Sequence, residues 1–355
     1  MGLPAWKRIL LAGSAASLIL VLVDPTTRHA IAQPLILVGL VISWIRIRRM
    51  QPPHKRAWQY FAAGGTLMFI GGAVRVVHAT IAHVDRPLPS PADALYYAGY
   101  VAFILGALEL LRRRSDAARD IDAWLDALIV VGAIGICAWA VGLEAYALDD
   151  SIALGERVVN LGYSALALTL IAVSARLVHA PGNRPASYYF IGVSMALFVT
   201  SDLLTTTEYV TGVELGFGII LTVPIWTFFL ATLYHPTMES LTDTPPDHEP
   251  RLGVGRFVLL GVAQLIPPVF LALQVTKVAA LSRTFLVTAA FIMTALVLAR
   301  LTLLIRSRDS LLDRGEALRD IAERLSVEAD LSEIYGLGVK GVRSVCDAGK
   351  VAGAA

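Results

Sequence analysis

The sequence predicts an all-α, polytopic membrane helix bundle with about ten transmembrane helices, followed by a charged C-terminal helix. Hydrophobic residues make up 56% of the 355 residues and charged residues only 16%. A soluble domain of this size carries more charge, roughly 25%. The apolar residues also cluster in runs of about 18 to 25, which is the length that crosses the hydrocarbon core of a bilayer.

The ten predicted spans follow one another with short loops between most of them. The first begins after Lys7 and Arg8, as in a signal peptide, but Val23-Asp24-Pro25 offers no small-residue cleavage site, so an uncleaved span is predicted. A loop with Pro245, Pro246 and Pro250 separates the eighth span from the ninth and is typical of a flexible linker. The spans are 8–23, 30–46, 58–82, 91–111, 121–145, 157–178, 186–209, 214–234, 256–275 and 283–305.

Positive charge is concentrated in alternate loops. The second loop contains Arg46, Arg48, Arg49, Lys55 and Arg56, and the fourth contains Arg112, Arg113, Arg114 and Arg119. Cytoplasmic loops of membrane proteins carry an excess of Lys and Arg, so both loops are assigned to the cytoplasm. An even number of spans then places both termini in the cytoplasm of a multi-pass plasma-membrane protein. Lys277 and Arg283, assigned to the outside, are the exception.

A seven-residue repeat of leucines follows the last span, at Leu304, Leu311, Leu318 and Leu325. This spacing favours pairing of two helices, so residues 306–331 are predicted to form a coiled-coil-like connector that joins two protomers. Arg308, Gly315 and Glu328 stand at the intervening core positions and make the signal partial. An amphipathic helix lying on the membrane surface is therefore the alternative. Residues 332–355 are expected to be the truncated start of a cytoplasmic domain, after a membrane module of residues 1–305.

Charged and polar residues cluster near the predicted outer ends of five spans. Charges inside a membrane are costly, so this clustering requires an explanation. One interpretation is an aromatic-lined pocket, open to the outside, that binds a small molecule. The other is structural: Arg75 is neutralised by Asp93 or Asp202, and the tyrosines form an interfacial belt. The candidate residues are Arg75, His78, Asp93, Tyr96, Tyr97, Tyr100, Trp139, Glu144, Asn160, Asp202 and Glu208.

The sequence shows no catalytic apparatus and predicts no cofactor. It has no phosphate-binding or dinucleotide-binding glycine motif and no nucleophile elbow, so this chain is not expected to be an enzyme. His78, His83 and Asp85 match no familiar metal-ligand spacing, and no metal is predicted. Cys137 and Cys346 indicate no disulfide framework. The net charge of +2 does not suggest nucleic-acid binding.

Several short stretches resemble a known family. Residues 87–100, which read PLPSPADALYYAGY, the arginine cluster at 112–114, and residues 121–128 and 232–238 are similar to the N-terminal membrane module of actinobacterial-type signalling proteins that carry GGDEF and EAL domains. Val101 stands where that module often has proline. Residues 318–331 resemble the connector and first helix of a GAF-type domain. The resemblance implies a context of c-di-GMP turnover by a diguanylate cyclase or phosphodiesterase, or a histidine-kinase context.

These observations predict an integral membrane sensor. An external or membrane signal would shift the packing of the bundle, and a C-terminal cytoplasmic signalling helix would pass the change to an output domain. The expected partners are the lipid bilayer, a small ligand at the outer face and a second copy of the chain. The alternative is a ten-span small-solute transporter of the drug/metabolite-transporter type, which the lack of a visible internal repeat disfavours. A membrane scaffold without a ligand is a third reading.

The topology can be tested with reporter fusions. Fusions after Arg114 and after Arg306 should both report a cytoplasmic location, and a fusion after Asp150 should report an external one, because the arginine clusters fall in alternate loops. An external signal from the fusion after Arg306 would contradict the even number of spans.

Overall fold

A computed structural model describes residues 2–83, 88–114, 121–179, 184–211, 216–241, 261–265, 269, 280–327 and 339–343. Every regular element in these ranges is helical, which confirms the all-α class. The chain divides into two compact units, Met1–Thr294 and Ala295–Ala355. The first unit contains the helix bundle.

Ten α-helices of the described residues are labelled here, and two short turns of other helix types accompany them. A π-helical turn, Trp139–Leu143, separates α5 from α6, and a 3₁₀ turn, Glu239–Leu241, follows α9. Residues 261–265 and 339–343 are also helical. The helices are α1 (Ala5–Leu22), α2 (Pro25–Arg48), α3 (Pro52–Ala82), α4 (Pro91–Arg114), α5 (Ile121–Ala138), α6 (Glu144–Ala147), α7 (Leu154–His179), α8 (Ala186–Thr211), α9 (Phe217–Tyr234) and α10 (Ala280–Val327).

Seven helices of the described residues are long and apolar enough to cross a membrane. They supply the spans Ala5–Leu22, Thr27–Arg48, Lys55–Ile81, Pro91–Arg113, Leu154–Leu177, Ala186–Thr205 and Thr284–Leu303. The apolar parts of α5 and α9, Trp124–Ala138 and Gly218–Tyr234, are shorter. The predicted span 256–275 lies outside the described residues except at 261–265 and 269. The membrane character is therefore supported, and the number ten stays a prediction.

Two predicted spans differ from the structure in their extent. Helix α2 begins at Pro25 instead of residue 30, because Asp24 caps it: its Oδ2 accepts the Thr27 backbone N–H at 3.0 Å, and proline occupies the first helical position. The predicted fifth span is interrupted by the π-helical turn before it reaches Glu144.

Six helices of the bundle form a closed ring. In the order α2, α3, α4, α7, α8, α9, each contacts the next, and α9 contacts α2 again. Helix α1 packs on α9 outside the ring, and α5 packs on α7. Many large apolar side chains point outward, Leu22 at 77% exposure among them, which suits contact with lipid.

Aromatic and aliphatic side chains fill the ring at the end that carries the basic N-terminus of α3 and the basic C-terminus of α4. Trp58, Phe61 and Phe229 pack within 6.1 to 6.3 Å of one another, measured between ring centroids. Leu110 and Leu233 complete this plug and are also buried. The apolar space left beside Phe61 and Phe229 measures only about 40 Å³.

Glycines allow α3 and α4 to approach closely. A Cβ atom at Gly64 would lie 2.7 Å from the Phe103 ring and 2.9 Å from the carbonyl oxygen of Gly99. A Cβ atom at Gly99 would lie 3.1 Å from the carbonyl oxygen of Gly64. Small residues at such a contact permit backbone-to-backbone packing in membrane helices. This seam brings the C-terminal end of α3 beside the N-terminal end of α4.

The first part of α10 packs on α5. The rings of Trp139 and Phe285 stack with centroids 5.0 Å apart, and the buried side chain of Met293 lies against Gly132. In the second unit, Leu318 is 55% exposed. Residues 328–331 of the predicted connector lie outside the described residues. The coiled coil and the domain start at 332–355 stay predictions.

Replacing Gly64 with alanine should destabilise the bundle. The added methyl group collides with the Gly99 carbonyl, and overpacking of this kind costs about 1–3 kcal/mol. Gly192→Ala is the matched control, because a Cβ atom there meets nothing within 4 Å. The control should be neutral or slightly stabilising, since alanine has the better helix propensity. Thermal unfolding in detergent measures both, and equal effects would contradict the seam.

Candidate functional site

A polar cavity of about 290 Å³ opens at the end of the ring opposite the aromatic plug. The C-terminal ends of α3 and α8, the N-terminal ends of α4 and α7 and the junction of α5 and α6 form its walls. The aromatic lining residues are Tyr96, Tyr100, Tyr146, Tyr163 and Phe198. The others are Met68, Arg75, Leu88, Leu143, Asn160, Ser201, Asp202 and Thr205.

The N-terminus of α4 is a capping box built from the Ser90-Pro91-Ala92-Asp93 motif. The Ser90 hydroxyl accepts the Ala92 N–H at 3.3 Å, and Asp93 Oδ2 accepts the Ser90 N–H at 2.5 Å. Proline occupies the first helical position, where its missing N–H costs nothing. This reciprocal capping fixes the Asp93 side chain at the helix terminus, with Oδ1 directed away from its own backbone.

Asp93 Oδ1 is the partner of Arg75. The Arg75 guanidinium donates to it through Nη2, and the Tyr163 hydroxyl donates to the same oxygen at 2.7 Å. The Arg75 guanidinium also lies over the Tyr96 ring, 4.7 Å from its centroid. Of the two acids that the sequence offers as partners of Arg75, Asp93 and Asp202, the structure shows Asp93. Its buried carboxylate is thereby fully occupied, because both of its oxygens accept hydrogen bonds.

Tyr163 of α7 holds the aromatic wall together. Its ring centroid lies 4.9 Å from that of Tyr97 and 6.3 Å from those of Tyr96 and Tyr100. The Tyr97 hydroxyl donates to the carbonyl oxygen of Val159 at 2.6 Å, and this bond ties α4 to α7. A side chain larger than hydrogen at Gly162 would collide with that hydroxyl.

Asp202 of α8 occupies a different part of the cavity wall. The Tyr100 hydroxyl, from another lining residue, is buried and makes no hydrogen bond to the described residues. No cationic side chain among the described residues pairs with Asp202. Beside it, the Ser201 hydroxyl donates to the carbonyl oxygen of Gly218 at 3.1 Å and joins α8 to α9.

The structure brings most of the predicted site residues together. Arg75, Tyr96, Tyr100, Asn160 and Asp202 line the cavity. Asp93 lies directly behind Arg75, His78 Nδ1 is 3.0 Å from the Ser90 hydroxyl, and Tyr97 braces the wall. His78, Asp93 and Tyr97 are not themselves lining residues, and three further predicted residues also lie outside the lining: Trp139, Glu144 and Glu208.

The helix geometry places three predicted residues outside the cavity lining: Trp139, Glu144 and Glu208. The Trp139 ring turns to Phe285 of α10. Glu144 begins α6 with Oε1 buried and without a hydrogen-bond partner among the described residues. Glu208 is partly buried on α8, beyond the lining residue Thr205.

Four polar lining residues are not among the predicted ones: Tyr146, Tyr163, Ser201 and Thr205. A signal exists for Tyr163, because it follows Asn160 by three residues and so shares its helix face. Tyr146 receives a hydrogen bond from the Asn160 amide and donates to Glu156 Oε1 at 3.3 Å. That contact depends on how the α5–α6 segment folds back, which the sequence pattern does not reveal.

The residues that the structure describes contain no group of three His, Cys, Asp or Glu side chains that could hold a metal ion. Of His78, His83 and Asp85, whose spacing was considered above for a metal site, Asp85 lies outside the described residues. No family model, curated protein or solved structure matches this chain. The resemblance to the GGDEF and EAL membrane modules therefore stays a prediction.

Loss of the Arg75–Asp93 pair should destabilise the bundle. Arg75→Leu leaves the buried Asp93 charge without its cation, and we expect a loss of about 2 kcal/mol. Asp93→Asn combined with Arg75→Leu should recover part of this loss, whereas Asp202→Asn combined with Arg75→Leu should be additive. Unfolding of the single and double variants in detergent gives the coupling energies. Stronger coupling of Arg75 to Asp202 than to Asp93 would contradict the assignment.

Proposed function

We propose that this protein is an integral membrane sensor, whose polar cavity receives a small ligand and whose helix α10 carries the response to a cytoplasmic output domain. The cavity is assigned to the outer face of the plasma membrane, with both termini in the cytoplasm. The observation that carries the proposal is the contact between the segment that lines the cavity and α10.

That contact runs through the π-helical turn Trp139–Leu143. Leu143, at one end of the turn, lines the cavity, and Trp139, at the other end, stacks on Phe285 of α10. π-Helical turns inside α-helices are rare and frequently occur at functional sites. A ligand that displaces Leu143 would therefore act on a segment that can rearrange, and Trp139 would transmit the displacement to α10.

The two ends of the ring support a sensor over a transporter. The cavity reaches the middle of the bundle, where Phe103 and Phe198 stand with ring centroids 5.0 Å apart. Below them the plug around Trp58 and Phe61 is buried. A transporter needs a binding site reachable from both sides in alternation, and such sites are generally built from broken helices near the middle of the membrane. Here each of the six ring helices is continuous, and the π-helical turn lies on the neighbouring α5–α6 segment.

The proposed response is a population shift between two packings of α10. Ligand binding changes this equilibrium only by its differential affinity for the two states, and a few kcal/mol suffice to reverse it. The exposed Leu318 belongs to the heptad pattern through which two protomers are expected to pair. The c-di-GMP turnover implied by the sequence resemblance, or a histidine-kinase reaction, is the proposed output.

Disulfide cross-linking in membranes tests the link from cavity to α10. In a background without native cysteines (Cys137→Ala, Cys346→Ser), Leu318→Cys should cross-link between protomers more than Arg319→Cys. Thr205→Phe fills the cavity and should change the Leu318 cross-linking yield by about twofold or more, because it mimics occupancy.

Thr200→Phe is the matched control, since Thr200 lies on the same helix, makes the same type of hydroxyl bond to the preceding turn and does not line the cavity. Phe285→Ala should remove the effect of Thr205→Phe. Equal cross-linking in all these variants would contradict the proposed link and favour a bundle that holds a ligand without signalling.

A further inference from the structure

The chemistry of the cavity indicates which class of ligand it takes, an inference that rests on the proposed ligand-binding role. Its lining has two charged residues, Arg75 and Asp202. The Arg75 charge is already neutralised by Asp93. Asp202 lacks a cationic partner among the described residues, so the cavity together with Asp93 carries one uncompensated negative charge.

The two carboxylates differ in their availability to a ligand. Asp93 is 5% exposed, and its oxygens accept hydrogen bonds from Arg75, Tyr163 and the Ser90 backbone. Asp202 lines the cavity and forms no ion pair with the described residues. A buried carboxylate without a cation is costly in a membrane protein, and a ligand that supplies the cation offsets this cost.

The aromatic walls favour the same kind of ligand. Tyr96, Tyr100, Tyr146, Tyr163 and Phe198 line the cavity. The faces of such rings attract cations, and several rings around one site form the aromatic cages that recognise quaternary ammonium groups. The structure already contains one such contact, since the Arg75 guanidinium lies over the Tyr96 ring at 4.7 Å.

Anionic ligands fit this cavity poorly. Arg75, the cation that could attract them, is engaged by Asp93. The volume of about 290 Å³ also limits the ligand, because it lies at the lower end of the range of roughly 300–1,000 Å³ for small-molecule pockets. We propose that the cavity binds a small organic cation, a methylated or otherwise substituted ammonium compound, with Asp202 as its counter-ion.

Calorimetry on the purified full chain in nanodiscs tests the proposal with defined probes. Methylammonium, tetramethylammonium and choline are the cations, 3,3-dimethyl-1-butanol is the uncharged analogue of choline, and acetate is the anion. At least one cation should bind saturably, and choline should bind at least about tenfold more tightly than its uncharged analogue.

Two substitutions in the cavity, compared with one control outside it, test where the cation binds. Asp202→Asn keeps the shape of the side chain and should weaken binding of the cation about tenfold or more. Asp150→Asn is the control, because the Asp150 side chain is 97% exposed outside the cavity and should leave the affinity unchanged. Tyr100→Phe should weaken binding less, since it retains the aromatic face. Thermal unfolding shows whether each variant is folded before it is used.

The outcomes separate this inference from the proposed function. Absence of cation binding at about 10 mM, tighter binding of acetate, or full retention of affinity in Asp202→Asn overturns the organic-cation site. In that case a change of α10 cross-linking in Thr205→Phe still supports the sensor. Cation binding that leaves the Leu318 cross-linking yield unchanged establishes the site and contradicts the sensor.

Discussion

The ion pair between Arg75 and Asp93 is the constraint on which the rest of the candidate site depends. A guanidinium within a membrane bundle is costly unless an acid is fixed beside it, and removal of one partner from a buried pair costs several kcal/mol. Here the acid is fixed twice: the capping box holds Asp93 Oδ2, and Tyr163 shares Oδ1 with Arg75. The close seam at Gly64 and Gly99 brings the two helices into the register that the pair requires.

The two ends of the ring differ in their charged residues. At one end, aromatic and aliphatic side chains around Trp58 fill the ring. At the other end, the neutralised Arg75 frees Asp202 to act as the charge that faces the cavity. One end thus holds the bundle together and the other contains the cavity, and the proposed detection of a ligand at one side rests on this asymmetry.

The sequence predicts the helices well, because apolar runs of membrane length have few alternatives to helix in a bilayer. It also places Arg75, Asp93 and Asp202 in one layer, since charges in spans demand partners. It does not predict the role of Tyr163, because a tyrosine in an apolar run is ambiguous until its neighbours are known. The π-helical turn and the Trp139–Phe285 stack depend on long-range packing of α10, and no local pattern encodes them.

Amide hydrogen exchange followed by mass spectrometry tests most directly whether the cavity and α10 form one cooperative unit. Asp93→Asn removes the anion that fixes Arg75 and weakens the cap of α4. The account predicts faster exchange at the cavity ends of α3, α4 and α7 and also in α10 from Thr284 onward, with α1 unchanged as the internal reference. Faster exchange confined to α3 and α4, with α10 unaffected, would contradict it.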